Sequence, residues 1–177
     1  MKSFLREILI TIILALIIFF GTRATLQTFV VIMSSMEPSF YDGQRLVVNK
    51  AVYFFGEPQR GDVIVFEAPN GRHEDYIKRV IGLPGDTVEV KDKRVYINGT
   101  EMEEPYIMDA PTYIMRAKEV KENEYFVLGD NRNHSNDSRN GWLVPRDSIK
   151  GKAWLLTWPP GEWGLVPEYS LTDQLGS

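Results

Sequence analysis

The chain contains no cysteine and only two histidines, His73 and His134, among 177 residues. Without cysteine there is no disulfide, thiolate nucleophile, thiolate metal site or iron–sulfur cluster. An oxidising compartment stays open, because roughly 150 residues can build a core without covalent staples. Two histidines leave any metal site dependent on carboxylates, and no spacing of that kind is present; both read as exposed loop residues, and no metal or cofactor is expected. Basic charge is scarce as well. Lys and Arg number 20 against 24 Asp and Glu, and beyond Arg23 the balance is 17 against 23. A body that acidic lacks the footprint of a nucleic-acid binder, so nucleic acid is excluded as a partner. Internal repeats, low-complexity runs and amphipathic helices beyond the first 25 residues are also missing.

What is present begins with an apolar run. From Ile8 to Thr22 there is no charge, and the side chains are apolar all round a helix rather than along one stripe. Such a segment belongs in a bilayer or a deep core. Its length suits the h-region of a signal peptide, with Lys2 and Arg6 as the basic flank. A small-residue pair at Thr22 and Ala24 has Arg23 between them, which disfavours cleavage. The segment reads as an uncleaved signal-anchor, residues 1–25, with the mostly apolar Leu26 to Met33 helping it to cross and the arginines snorkelling. Lys2 and Arg6 place the N-terminus in the cytoplasm and residues 26–177 on the outer face of the cell membrane.

Beyond Met33 the pattern changes to short β-branched and aromatic segments bounded by turns. Strands are expected at 44–49, 62–66, 76–81, 87–90, 94–97, 125–128 and 152–156, with 147–150 leading in. Turns fall at Tyr41-Asp42-Gly43, Pro69-Asn70-Gly71, Leu83-Pro84-Gly85-Asp86 and Lys91-Asp92-Lys93, among others. Val88 to Ile97 reads as a hairpin. The fold class is mostly β, with a closed or strongly coiled sheet behind one transmembrane helix. The stretch from Pro159 to Ser177 reads as irregular.

Chemistry-bearing residues are few. His134, Ser135 and Asp137 crowd a single loop, a poor basis for a triad. Lysine is the alternative base for a serine, since a neutral amine can take the hydroxyl proton and return it to a leaving amine. In an extended strand Tyr76, Lys78 and Val80 share a face. A working base there needs its pKa lowered from about 10.4 to about 7–8, roughly 3–5 kcal/mol of desolvation. Read by itself, the segment better describes an edge lysine reaching solvent. Ser35, in Met33-Ser34-Ser35-Met36-Glu37-Pro38, and the polar loop Gly129 to Arg139 complete the candidate set. Phe40, Tyr53, Phe54, Phe55 and Trp142 suit either a membrane interface or the core.

Four motifs in order, Ser35-Met36-x-Pro38, Arg60-Gly61-Asp62-Val63-Ile64-Val65-Phe66, Asp75 through Asp86, and Gly129-Asp130-Asn131-Arg132 with Ser135, Asp137, Ser138 and Arg139, resemble the sequence boxes of the bacterial type I signal peptidases. The short stretch between Ile97 and Tyr125 resembles the compact Gram-positive form. The resemblance implies a mostly β fold of coiled antiparallel sheets and a membrane-bound serine endopeptidase acting on the signal peptides of exported preproteins, without cofactor. It implies Ser35 as nucleophile and Lys78 as general base. Ser135 would hydrogen-bond the Lys78 amine, while Asp130 with Arg79 and Asp137 with Arg139 would hold the loop. Substrate would lie extended against Asp75, Tyr76 and Ile77 and the stretch before Ser35. Met33 departs from the Gly or Ser usual at its place, leaving oxyanion stabilisation to backbone N–H groups, Ser35 first. A membrane-tethered binding domain with a degenerate site is the alternative reading. A self-cleaving Ser–Lys repressor would need a helical DNA-binding segment where this chain has its apolar run.

Overall fold

The structure is a computed structural model that describes residues 2–69, 71 and 73–175. Asn70, in the turn expected at Pro69 to Gly71, and the last two residues of the 26–177 segment lie outside the described residues. Helix α1 (Lys2–Thr25) opens the chain. Its stretch Phe4–Thr25, 22 residues, is long and apolar enough to cross a membrane, spanning about 33 Å at 1.5 Å per residue. The Thr11, Thr22 and Thr25 hydroxyls donate to the carbonyls of Glu7, Ile18 and Gly21 at 2.9, 2.9 and 2.8 Å. Satisfied within the helix, they need no water.

The rest is β. The strands are β1 (Leu26–Val30), β2 (Arg45–Asn49), β3 (Val63–Glu67), β4 (Asp75–Gly82), β5 (Thr87–Lys91), β6 (Arg94–Ile97), β7 (Thr100–Glu101), β8 (Met115–Glu119), β9 (Glu124–Leu128), β10 (Val144–Pro145), β11 (Ile149–Trp158) and β12 (Gly164–Leu165). A large antiparallel sheet runs β1-β2-β11-β3-β4-β9-β10, with β12 on β11; a second sheet runs β7-β6-β5-β8. Register shifts in β11 and β4 bend the large sheet, as extra residues in one strand of a pair do. The 88–97 hairpin forms as expected, closed by Asp92 and Lys93, both with positive φ, the backbone that matches the twist of paired strands.

Two expectations are corrected. Leu26 to Val30 does not extend helix α1; it pairs with β2 along all five residues. Thr28, Phe29 and Val30 suit a pleated surface, and the strand leaves Phe29 packed on the core while its neighbours are exposed. The stretch after 159 is not simply irregular either: it contributes β12, and Leu171 is 2% exposed in the core.

Strand β4 is an interior strand of the large sheet, paired with β3 on one side and β9 on the other. From Ile77 to Gly82 every residue is buried. Ile77 packs with Val63, Val65 and Met36, whereas Val80 packs with Ile64, Phe66 and Val127, so apolar layers cover both faces. Ile81 joins Val88, Val90, Val95 and Ile97 in the layer shared with the smaller sheet. Of the five aromatics that suited interface or core, Phe40 and Tyr53 are buried, Trp142 packs on the core, and Phe54 and Phe55 are exposed.

Candidate active site

Ser35 lies in the turn between β1 and β2. Val31 closes β1 by donating to the Gln44 carbonyl at 2.8 Å, and buried Met36 and Phe40 pin the far side of the turn in the core. Between these anchors Met33 takes a left-handed backbone, φ 70°, and its amide donates to Asp42 Oδ1 at 2.7 Å. Ser35 is half-buried beside it.

Lys78 reaches the same point from β4, where it pairs with Ile64. Its Nζ is 2.8 Å from Ser35 Oγ and donates to the Ile77 carbonyl at 2.8 Å. Both partners are neutral oxygens. Lys78 is 4% exposed, and burial lowers its pKa from 10.5 to about 8 even though Asp137 and Asp130 pull it upward; Arg139 pushes it further down. Desolvation of the charged form therefore decides the balance. The edge-lysine reading fails because β4 is interior.

The loop after β9 supports this pair from behind. Asn131 donates its amide to the Ser35 carbonyl at 3.1 Å and its side-chain amide to the Ser34 carbonyl at 3.0 Å. Gly129 has to be glycine: a Cβ there would stand 2.4 Å from the Ser35 carbonyl oxygen and 2.3 Å from Ser135 Oγ. Arg79 grips Asp130 through Nε at 2.9 Å and Nη2 at 2.6 Å, and Ser39 Oγ donates to Asp130 at 2.6 Å. Asp137 takes the amide of Gly129 and the Arg139 guanidinium, which also reaches the carbonyls of Arg132 and Ser135. Ser135 Oγ, expected to bond the Lys78 amine, is buried with no hydrogen-bond partner, and the amine bonds Ser35 and Ile77 instead. The turn carrying Ser135 is held by its backbone, which leaves the hydroxyl beyond bonding geometry to the amine.

Sequence reasoning gave no role to three residues here, Arg132, Glu104 and Asp42. Arg132 is 1% exposed and forms a two-pronged pair with Glu104 at 2.5 and 2.6 Å; the partners are 28 residues apart, so no local pattern announces them. Asp42 looked like a turn residue and is the acceptor for Met33. His134 is exposed, and His73 faces Glu67 at 2.7 Å. Among the described residues no group of three or more His, Cys, Asp or Glu is placed to hold a metal ion.

A groove of about 460 Å³ opens beside the pair, walled by Phe29, Ile32 and Met33 on one side and by Asp75, Tyr76 and Ile77 on the other, with Ser35 and Lys78 at its floor. Among the described residues the Ser35 N–H has no acceptor, while that of Met33 is occupied by Asp42.

Comparison with known proteins places this arrangement. Residues 3–158 match the family described as signal peptidase, peptidase S26. The chain is 38% identical to signal peptidase I of Bacillus licheniformis over 90% of both chains. It is 36% identical to signal peptidase IB of Staphylococcus aureus, over 92% of this chain and 94% of that one. A probable signal peptidase I-2 of Synechocystis is 37% identical, over 89% and 75%. Among solved structures, a signal peptidase I of Enterococcus faecalis matches with a TM-score of 0.50 at 38% identity, covering 55% of this chain and 97% of that one. The chain belongs to the S26 signal peptidases, a family of serine endopeptidases.

Proposed function

We propose that the protein removes signal peptides from exported preproteins with Ser35 as nucleophile and Lys78 as general base. The observation that carries this reading is the 2.8 Å contact between Ser35 Oγ and a buried amine whose pKa is lowered to about 8. In the neutral amine the lone pair accepts the hydroxyl proton. Oγ then attacks the scissile carbonyl carbon, and the resulting oxyanion takes a hydrogen bond from the Ser35 N–H. Nζ delivers its proton to the leaving nitrogen as the C–N bond breaks, giving an acyl ester on Ser35. Water repeats the cycle: Nζ takes its proton, hydroxyl adds to the ester carbon, and Ser35 Oγ leaves with the proton returned. The bond from Nζ to the Ile77 carbonyl aims the amine throughout.

Substrate lies extended in the groove between Met33 and Asp75 to Ile77, adding a strand and presenting small side chains to shallow apolar walls before the cut. Helix α1 anchors the chain in the cell membrane, Lys2 and Arg6 keep its N-terminus cytoplasmic, and the β domain works at the outer surface. A cleavage assay on a preprotein, with wild type beside Ser35→Ala, tests the reading. Loss of processing in the variant supports it, and undiminished processing refutes it.

A further inference from the structure

The family match ends at residue 158, yet the segment beyond it packs against the machinery described above. Leu171 enters the core among Ile81 and Phe126. The Tyr169 carbonyl presses on Gly61, where a Cβ would come within 2.2 Å; Gly61 also has φ +94°, so two demands require glycine there. The Gly61 carbonyl in turn accepts from Arg79 Nη1 at 2.9 Å. The Tyr169 ring lies 5.2 Å from the Arg79 guanidinium carbon, and the Tyr106 ring covers the same group at 4.1 Å. The two rings are themselves 5.2 Å apart. Among the described residues the Tyr169 hydroxyl makes no hydrogen bond, so the ring face is what it offers.

We infer that Tyr169 is a positioning residue for the Ser35 and Lys78 site, acting through Arg79. Arg79 directly follows the proposed base in β4 and holds Asp130, and the next residue, Asn131, bonds the Ser35 and Ser34 carbonyls. A guanidinium at 1% exposure gains more from an aromatic face than an exposed one does. Removing that face lets Arg79 and Asp130 shift together, and the turn that presents Ser35 shifts with them. Displacements of this size matter because a misplacement of about 1 Å can lower a rate by about a hundredfold.

The inference rests on the proposed Ser35 and Lys78 mechanism. The test uses the full chain in detergent with a synthetic preprotein peptide, comparing wild type with Tyr169→Phe, Tyr169→Trp, Tyr169→Leu and Tyr169→Met. Thermal unfolding gives the folded fraction, and rates are expressed per folded molecule. Phe and Trp keep kcat within about twofold, whereas Leu and Met lower it about tenfold with KM unchanged, which corresponds to losing one desolvated cation–aromatic contact. If Leu and Met match wild type, if Phe falls as far as Leu, or if the loss lies in KM, Tyr169 is a core-filling residue and the inference is overturned. Inactive wild type overturns the proposed function itself, which separates the two failures.

Discussion

The two sheets treat charge differently. In the smaller one, β5 and β6 alternate: Val88, Val90, Val95 and Ile97 are buried, and the charged residues between them form exposed pairs such as Arg94 with Glu101 at 2.7 Å. In the larger one, β4 and the loop after β9 bury Lys78, Arg79, Asp130, Arg132 and Asp137. Three of the cations there, Arg79, Arg132 and Arg139, meet carboxylates. Lys78 alone of these has only neutral oxygens as partners. The smaller sheet shows how this chain stabilises itself with ordinary alternation. The larger shows a costly exception, kept at the amine that the proposed mechanism uses uncharged.

The largest effect is expected from removing that exception. Lys78→Ala and Ser35→Ala each abolish processing, and the double variant is no worse, because groups that act as one unit do not add. Lys78→Arg is equally inactive, since a guanidinium stays charged. A peptide cleavage assay checks all four.

Next come the stability consequences, which differ in sign between the paired and unpaired cations. Arg132→Met leaves Glu104 buried without its partner and destabilises by about 3–5 kcal/mol in denaturant unfolding. Lys78→Met does the reverse. The folded pKa of about 8 lies below the unfolded 10.5, so below pH 8 the wild type is destabilised by keeping the amine from its proton. That penalty is about 3 kcal/mol at 1.36 kcal/mol per unit. It shrinks between pH 8 and 10.5 and is gone above. The advantage of Lys78→Met therefore fades across that window; an advantage independent of pH would mean that it comes from packing alone.

A smaller effect belongs to Met33. An L-residue at φ 70° is strained by about 1–2 kcal/mol, part of which glycine returns through its greater freedom in the unfolded chain. Met33→Gly thus raises stability by up to about 1 kcal/mol in thermal unfolding. The smallest effect is expected in the other sheet, where Arg94→Ala changes stability by less than about 0.5 kcal/mol.

Much of this contrast was legible beforehand. Alternation located β5 and β6, and β-branched runs located β3, β4 and β9 to within a residue or so at each end. Ser35 and Lys78 became candidates by elimination of cysteine and histidine, and the motif resemblance joined them. What escaped had physical reasons. The apolar residues of β1 run on directly from α1, so composition could not mark where helix gives way to strand. In β8, Met-Arg-Ala-Lys-Glu is an outer strand with little burial, and so carries no strong alternation. The Arg132 and Glu104 pair, and the packing of Tyr169 on Arg79, join distant segments that only the folded chain brings together. Ser135 was assigned its bond by analogy, and in the folded chain the Lys78 amine bonds Ser35 and Ile77 instead.

The most direct test of the account is the pH dependence of kcat/KM for preprotein cleavage, measured for wild type and for a variant in which His73 and His134 are both replaced. The free enzyme's base sets that profile. The account predicts a rise through an apparent pKa of about 8, unchanged when both histidines are gone. A rise centred near the ordinary histidine value of about 6.5, abolished with the histidines, would contradict Lys78 as the base.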